Sequence, residues 1–463
     1  MKLSERLEAV QSAEVAEDED QLDLSIDSTP AVERHANPMA DLIDRARQQL
    51  LGAMGGRIND AGSSDEDLRR MVVAELTTIV DAEPVPLSSE ERKQVINSIV
   101  ASVLGYGPIQ PLLADPSVTE VMVNGPNQIF VERAGQLSLA DAQFEDDAQL
   151  RRVINRIVSP IGRRIDESSP MVDARLPDGS RVNAIIPPLA VDGASLTIRK
   201  FSKKNFSAED LVNMGSATVE SIYLIAAAVR GHLNTLVSGG TGSGKTSLLN
   251  VLSSFIPEGE RIVTIEDAVE LRMGQEHVVR LEARPGNSEG RGLIEIRDLV
   301  RNALRMRPDR VIVGECRGGE ALDMLQAMNT GHAGSLSTLH ANSPDDATSR
   351  LETMVLMGGI ELPIPAIRKQ IESAVDLIVH TSRLRDGSRR IVEVSEVDGI
   401  EGNDIMVKPI FKFRQTGVDA DGRLIGQLEP TGHRPAFVDH LKDAGLAIDD
   451  RLFEPRKTAA VAI

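Results

Sequence analysis

Cysteine, aromatic residues and long apolar runs are scarce in this sequence, and each shortage excludes a class of protein. Cys316 is the only cysteine in 463 residues, so no disulfide can form within the chain and a reducing compartment is expected. Tryptophan is absent and aromatic residues make up 2% of the chain, so the cores must be built from aliphatic side chains and methionine. The longest apolar run, residues 222–229, is much shorter than the roughly 20 residues that a membrane-spanning helix needs. We therefore expect membrane association only through partner proteins.

Positive charge is also in short supply. Acidic residues number 70 against 51 basic ones, for a net charge of -19, which disfavours nucleic acid as a direct partner. The first ten residues, MKLSERLEAV, lack the basic start and apolar core of a signal peptide, so no export is expected. A chain of 463 residues is too long for one ordinary core and is typical of two or three domains.

Composition and periodicity divide the chain into six predicted segments. Residues 38–54, 64–80 and 88–104 have helical patterns, the last opening with a capping box formed by Ser88 and Glu91. Short strands and turns follow, and a polar stretch at 202–205 has the composition of a hinge. In order, the segments are a disordered acidic tail (1–37), a helical bundle (38–115), a mixed α+β domain (116–201), a linker (202–215), an α/β domain (216–445) and a C-terminal tail (446–463).

The α/β domain shows helices alternating with buried strands, which is typical of a doubly wound parallel sheet. We predict strands at 233–237, 261–265, 310–313 and 335–339, separated by helices. Beyond Val375 the pattern changes to hairpins around Asp386-Gly387 and Asp421-Gly422.

A glycine-rich loop after the first of these strands carries the strongest chemical signal. Residues 239–246 read GGTGSGKT and match the pattern G-x-x-x-x-G-K-[ST] between a strand and a helix. Small residues let backbone N–H groups and the helix N-terminus converge on a phosphate chain. Lys245 is then predicted to reach the β- and γ-phosphates, and Thr246 to hold Mg²⁺. The predicted phosphate-binding residues are Gly239, Gly240, Thr241, Gly242, Ser243, Gly244, Lys245, Thr246 and Ser247.

Carboxylates follow two other predicted strands. Glu315 ends an apolar strand and is preceded by Gly314, which would let the strand end approach the phosphates closely. P-loop enzymes need such an acid to organise Mg²⁺ or the attacking water, so we predict that role for Glu315. Glu266 follows the strand at 261–265 and is a second candidate, although an ordinary solvated strand end is an open alternative. Cys316 reads as a small buried hydrophobe.

The segment TGHAGSLSTLHAN combines His332 and His340 with small and hydroxyl residues. Further ligands at metal spacing are missing, so a zinc site is disfavoured. We favour a nucleotide-sensing role, in which a histidine contacts the γ-phosphate.

Arginines of the α+β domain are numerous for a domain that otherwise looks structural. An arginine delivered from another domain or subunit stabilises the charge that grows on a transferring phosphoryl group. Each arginine alone also reads as a surface charge, and so do those of the loop near Pro285-Gly286. The candidates are Arg164, Arg175, Arg181 and Arg199, with Arg280, Arg284 and Arg291 on that loop.

Four blocks in this order, GGTGSGKT, TIEDAVEL, RMRPDRVIVGECRGGEA and TGHAGSLSTLHANSP, resemble the Walker A motif, Asp box, Walker B motif and His box of the type II and type IV secretion ATPases. The resemblance covers residues 105 to 397. Agreement through RLEARPGNSEGRG and LRMRPDRVIVGE favours the CpaF-like ATPases of tight-adherence (Tad/Flp) pilus assembly.

That resemblance implies a RecA-like P-loop ATPase domain of α/β class, preceded by a PAS-like α+β domain and assembled as a homohexameric ring. ATP and Mg²⁺ would be its cofactors. Lys245, Thr246, Glu315 and Glu266 would serve the phosphates, Mg²⁺ and water, with His332 and His340 as sensors. Arg175, Arg181 and Arg199 would be fingers, from the same or a neighbouring subunit, and which carboxylate is the base stays open.

The implied function is a cytoplasmic motor at the inner membrane that powers pilus assembly through a platform protein. Extension and retraction are not distinguished by the sequence. Two alternatives stay open: a conjugation or effector-secretion ATPase, and a nucleotide-switched binding module with little turnover.

Overall fold

The computed structural model describes residues 38–54, 65–83, 87–133, 135–201, 206–286, 291–359 and 361–456. The predicted acidic tail (1–37) and the predicted hinge (202–205) lie outside these residues. The chain forms two compact units, one ending at Gly105 and one starting at Tyr106. Each unit is described by itself.

The first unit contains three described helices: α1 (Pro38–Met54), α2 (Asp65–Ala82) and α3 (Ser89–Leu104). Their apolar faces share one core that includes Leu50, Leu76 and Ile99. The capping box at α3 is confirmed, since the Glu91 amide donates to Ser88 Oγ at 3.3 Å and the Ser88 amide donates to Glu91 Oε2 at 2.8 Å. These reciprocal bonds satisfy two amides that a helix start otherwise leaves unpaired.

The second unit begins with an antiparallel sheet domain, residues 106–201. Its strand order is β3-β2-β1-β6-β5-β4. The elements are α4 (Gln110–Ala114), β1 (Val118–Asn124), β2 (Ile129–Arg133), β3 (Gln136–Leu139), α5 (Asp147–Val158), β4 (Met171–Arg175), β5 (Arg181–Ile185) and β6 (Ser195–Arg199). The predicted bundle boundary at 115 is wrong, because Ile109 is fully buried in the core of this sheet domain, and Leu112 and Leu113 pack against that core.

The rest of the second unit is an α/β domain around a nine-stranded mixed sheet in the order β15-β14-β13-β12-β7-β11-β10-β8-β9. The strands from β12 to β9 run parallel, and those from β12 to β15 run antiparallel. The strands are β7 (Thr235–Gly239), β8 (Ile262–Glu266), β9 (Val278–Glu282), β10 (Arg310–Cys316), β11 (Leu336–His340), β12 (Leu377–Arg383), β13 (Arg389–Glu401), β14 (Asp404–Val418) and β15 (Leu424–Pro430).

Two of the parallel strands differ from the predicted set. β9 was not predicted, and β12 was assigned to the hairpin region although it pairs in parallel with the central strand β7. The two predicted hairpin turns are confirmed, since Leu384 donates to Ser388 O and Asp419 donates to Arg423 O across them. Parallel and antiparallel partners look alike in local sequence, because burial on both faces gives the same apolar run.

Helices cover both faces of the sheet and close two apolar cores. They are α6 (Ala208–Asn213), α7 (Val219–Arg230), α8 (Lys245–Ser253), α9 (Ile296–Ala303), α10 (Glu320–Asn329), α11 (Pro344–Met357), α12 (Ile364–Ala374) and α13 (Phe437–Asp443). Residues beyond 445, predicted as a tail, belong to this domain through 456, because Phe453 is buried in its core and Leu446 packs against it. Within the described ranges, no helix combines the length and the hydropathy that crossing a membrane requires.

Candidate active site

The P-loop, residues 239–246, leads from the end of β7 into α8. Gly242 and Gly244 have φ of 69° and 97°, a region that side-chain-bearing residues rarely adopt. A Cβ on Gly239 would lie 2.2 Å from Thr381 O and 2.6 Å from Ser243 Oγ. Glycine at 239 is therefore required by the packing of the loop against β12.

Lys245, the first residue of α8, is buried under the loop that precedes it. Its Nζ donates to Gly239 O at 3.1 Å and to Gly240 O at 2.9 Å, and it lies 3.3 Å from His340 Nδ1. Burial lowers the pKa of Lys245, and the negative charge of Glu315 acts in the opposite direction.

His340 bridges Lys245 and Glu315. Burial and the charge of Lys245 lower the pKa of His340 below its usual 6.5, which favours the neutral ring. Lys245 carries only donors, so Nδ1 accepts and the ring proton sits on Nε2. His340 Nε2 lies 2.8 Å from Glu315 Oε1. The ring therefore lies between the P-loop lysine and the carboxylate at the end of β10, and Glu315 Oε1 accepts no hydrogen bond among the described residues.

Arg317 holds the other oxygen of Glu315. Its Nε donates to Glu315 Oε2 at 2.8 Å, and its Nη1 lies 3.5 Å from Asp267 Oδ2. The Arg317 amide donates to Glu320 Oε1 at 2.6 Å, which fixes the backbone at this point. Glu315 thus lies between a neutral imidazole and a guanidinium.

Glu266 ends β8, next to β10, and is buried. Its Oε2 accepts from the amides of Glu270 and Leu271 at 2.7 and 2.9 Å, while its Oε1 has no hydrogen-bond partner among the described residues. Burial raises the pKa of the Glu266 carboxyl, and the two amides oppose that rise. The alternative of a solvated strand end does not fit a side chain that is 3% exposed.

The candidate arginines of the sheet domain lie in different surroundings. Arg175 Nη1 is 2.8 Å from Glu282 Oε2, and Arg181 Nε is 3.1 Å from Glu270 Oε1, so both join the sheet domain to the α/β domain. Arg199 is exposed, and its charge helps to lower the pKa of Lys245. Arg164 lies at the surface, 3.4 Å from Asp166.

The structure separates the two histidines. β11 pairs in parallel with β7 and brings His340 opposite Gly239, whereas His332 precedes the amino end of β11, where its carbonyl accepts from Ser335 Oγ at 2.7 Å. Five strand residues span roughly 16 Å at about 3.3 Å each. The structure therefore places His332 away from the P-loop of its own chain, and the predicted sensing role of His332 has no support from contacts there.

Three residues that the sequence analysis did not single out contact this site. Arg317 contacts Glu315, as described above. Thr381 Oγ1 donates to Ser243 O at 2.9 Å, and Arg389 Nε donates to Gly242 O at 2.8 Å. Arg317 lies two residues after Glu315, so its role could have been recognised from the sequence. Thr381 and Arg389 are more than a hundred residues from the loop that they contact, so theirs could not.

The residues present fit a magnesium nucleotide. Thr246 at the start of α8 is half-buried, and the buried Ser243 Oγ has no hydrogen-bond partner among the described residues. Over the same residues, no group of three or more His, Cys, Asp or Glu side chains is placed to hold a metal ion. Mg²⁺ commonly takes one or two protein ligands and completes its shell with phosphate and water, which matches Thr246 with Glu315.

A P-loop, a buried lysine and acids at the ends of two neighbouring parallel strands define a P-loop nucleoside triphosphatase. The profile of the family described as "Type II/IV secretion system protein" matches residues 103–409, and the chain belongs to that family. The predicted enzyme class, an ATPase, is confirmed.

Several relatives are similar over most of their own length. A protein named for conjugal transfer in Mycobacterium tuberculosis is 38% identical over 304 residues, which is 64% of this chain and 86% of that protein. The type IV secretion system protein VirB11 of Bartonella quintana is 32% identical over 340 residues, covering 64% of this chain and 94% of VirB11. The crystal structure of the VirB11 ATPase of Brucella suis is 31% identical, covers 62% of this chain and 95% of that one, and has a TM-score of 0.35.

Proposed function

We propose that the chain is the ATP-hydrolysing motor of a Tad/Flp-type pilus assembly system, acting as a homohexamer on an inner-membrane platform protein. The observation that carries hydrolysis is the series Lys245, His340 and Glu315, in which one neutral imidazole lies 3.3 Å from Lys245 Nζ and 2.8 Å from Glu315 Oε1. A module that only binds nucleotide has no need for a strand-end carboxylate whose Oε2 is bonded by Arg317 and whose Oε1, without a hydrogen-bond partner among the described residues, is left to accept from a water.

Each residue has a distinct task in this proposal. The P-loop amides and Lys245 bind the phosphates of ATP, and Thr246 and Glu315 would hold Mg²⁺, which would supply positive charge against those phosphates. Glu315 orients the attacking water, and His340 fixes the Glu315 carboxylate and reports on the γ-phosphate. Glu266 is the second candidate for the water. Arg199 supplies positive charge toward the phosphates from the sheet domain, in the same chain or from a neighbouring one.

The sheet domain serves as the PAS-like domain of this family in the proposal. Arg175 and Arg181 pair with Glu282 and Glu270 of the α/β domain, so relative movement of the two domains has to exchange these ion pairs. Because Glu270 follows Glu266 by four residues and its amide donates to Glu266 Oε2, such movement is coupled to a carboxylate of the site. Movement of this kind would deliver the work of hydrolysis to the platform protein.

A conjugation or effector-secretion ATPase is the second candidate. The names of the Mycobacterium and Bartonella relatives favour it, whereas the sequence blocks RLEARPGNSEGRG and LRMRPDRVIVGE favour the pilus branch. The two functions are separated in cells of the source organism that lack the gene. Restoration of surface pili by the wild-type gene, and not by Lys245→Ala, supports the pilus motor; restored substrate transfer without pili overturns it.

Steady-state phosphate release tests turnover directly. We expect Lys245→Ala and Glu315→Gln to abolish it, because they remove the phosphate-binding cation and the carboxylate. Lys369→Ala, which removes an exposed lysine paired with Glu372 of its own helix, is the matched control and should turn over at the wild-type rate. Unchanged turnover in Lys245→Ala or Glu315→Gln would refute the mechanism.

A further inference from the structure

The hairpin formed by β12 and β13 adjoins the P-loop on the side away from β11. Thr381 of β12 lies opposite Gly239 of β7, and Arg383 lies opposite Arg389 of β13. The turn between the strands is closed by a bond from the Leu384 amide to Ser388 O at 2.8 Å. The hairpin therefore places its turn next to the nucleotide site.

Two side chains of the hairpin hold consecutive carbonyls of the P-loop. Arg389 Nε donates to Gly242 O at 2.8 Å, and Thr381 Oγ1 donates to Ser243 O at 2.9 Å. The bond from Arg389 is charge-assisted and thus among the stronger kinds. Gly242, like Gly244, has a positive φ where the loop turns toward α8, so these bonds hold the loop next to that turn.

The same hairpin is bonded to the segment that follows the interdomain linker. Ser216 Oγ donates to Arg389 O at 2.7 Å, and the Ile391 amide donates to Ser216 O at 2.8 Å. Ser216 lies between α6 and α7, at the start of the α/β domain. Arg389 is thus fixed through its backbone by the connector and through its side chain by the P-loop.

A third contact reaches the sheet domain. Arg383 Nη2 donates to Gly135 O at 3.2 Å, across 248 positions of sequence. Gly135 has φ of 81°, and a Cβ there would lie 3.0 Å from the same Nη2. The turn between β2 and β3 therefore approaches Arg383 closely.

We propose that the β12–β13 hairpin transmits the position of the sheet domain to the P-loop. Arg383 responds to the β2–β3 turn, and Arg389 is a positioning residue that holds Gly242 in its phosphate-binding path. This inference rests on the proposed motor, because it supplies the physical link between domain movement and nucleotide affinity. Since coupling between two sites is reciprocal, nucleotide must in turn bias the position of the sheet domain.

Equilibrium binding of a fluorescent ATP analogue to the full chain tests the first half of this link. We expect Arg389→Ala to weaken binding roughly tenfold, the scale of losing a hydrogen bond from a charged donor. Arg385→Ala is the matched control, because Arg385 lies on the same turn, is exposed and has no ion pair or hydrogen bond recorded among the described residues. Its affinity should stay at the wild-type value.

Arg383→Ala tests the second half. It should weaken nucleotide binding by roughly threefold. The Arg383→Ala, Arg389→Ala double variant should bind nucleotide no more weakly than Arg389→Ala alone, because the effects of residues that act through one another are not additive. Hydrogen exchange around Gly135 should change on adding nucleotide to the wild type and not to Arg383→Ala. In the absence of nucleotide, the melting temperatures of Arg383→Ala, Arg389→Ala and the double variant should all equal that of Arg385→Ala.

Three results would overturn the inference. The first is equal affinities of Arg389→Ala and Arg385→Ala, and the second is a loss of affinity in the double variant that equals the product of the two single losses. A loss of affinity that only follows a lower melting temperature would assign the hairpin a structural role and overturn it as well. The binding readout is independent of turnover, so a wild-type chain without ATPase activity would refute the proposed motor and leave this comparison intact.

Discussion

The Glu266 side chain occupies the space that a side chain at position 314 would fill. A Cβ built on Gly314 would lie 2.8 Å from Glu266 Cγ and 3.5 Å from both its Cβ and its Oε2. Close approach of β10 to the phosphates was the expected reason for a glycine at 314, but Gly314 makes room for a buried carboxylate on the neighbouring strand. Any side chain at 314 must therefore displace Glu266.

Gly314→Ala is expected to lower ATP turnover at least tenfold, because moving Glu266 breaks its two bonds to the amides of Glu270 and Leu271 and shifts a carboxylate beside Glu315; misplacements of about 1 Å cost this much or more. Steady-state kcat is the measurement. Gly259→Ala is the matched control, because a Cβ at 259 meets nothing within 4 Å. Turnover near that of the control would show that Glu266 has no part in hydrolysis.

His340 should make the rate of ATP turnover fall at acidic pH, as an acidic limb of the pH–rate profile. The pKa of His340 is lowered from 6.5, so the ring is neutral at pH 7 and gains its proton as the pH falls through the lowered pKa. Protonation removes the acceptor for Lys245 and adds a second cation beside it. We expect turnover to fall below pH 6.5, and His340→Gln, which keeps one acceptor and one donor, to lose that limb.

The pH–rate profile of kcat checks this prediction. His332→Gln is the control, since His332 lies before the amino end of β11, and it should keep the wild-type profile. An acidic limb of the same shape in His340→Gln would assign the titration to another group.

Arg310 is a fully buried arginine at the opposite end of β10 from Glu315. Its Nη2 lies 3.2 Å from Glu260 Oε1, and its Nη1 donates to Val229 O at 2.7 Å and Gly334 O at 3.0 Å. Arg310→Met leaves Glu260 without its buried partner, so we expect the free energy of unfolding to fall by about 3–5 kcal/mol. Arg451→Ala, at an exposed pair with Asp449, should leave it nearly unchanged.

Denaturant unfolding of the full chain, followed by a spectroscopic signal that comes from the second unit, measures the change in unfolding free energy for both variants. A loss in Arg310→Met no larger than that in Arg451→Ala would mean that packing, and not the ion pair, holds this end of the sheet together.

Asp376 should make stability fall as the pH rises. Burial raises the pKa of Asp376 to about 6, above its ordinary 3.8, so the folded chain binds this proton more tightly than the unfolded chain. The stabilisation is complete below pH 3.8 and is lost as the pH rises through 6. Asp376→Asn lacks this titration and still offers an oxygen to the Asn234 amide.

Relative to the wild type, Asp376→Asn should therefore gain on the order of 2–3 kcal/mol of unfolding free energy between pH 4 and pH 7. Unfolding curves at several pH values measure the difference. Asp449→Asn is the comparison, because the pKa of Asp449 is lowered to about 2 and its difference from the wild type should stay flat between pH 5 and pH 7. A flat difference for Asp376→Asn as well would contradict the prediction.

Much of the fold and part of the site were predictable from local sequence. The P-loop, the capping box at Ser88 and the strands ending at Glu266 and Glu315 each depend on residues within a few positions of one another. Backbone conformation and hydrogen bonding within such a stretch are set by the stretch itself. These features were therefore placed to within a few residues.

Only the tertiary structure decided which strand ends, and therefore which site residues, lie next to one another. His332 and His340 look equivalent in sequence, yet parallel pairing of β11 with β7 brings only His340 to Lys245. Gly314 faces Glu266, and Arg389 holds Gly242, 147 positions earlier in the chain. Local periodicity reports which face of a strand is buried and says nothing about strand order, so contacts between strands far apart in sequence arise only when the sheet is assembled.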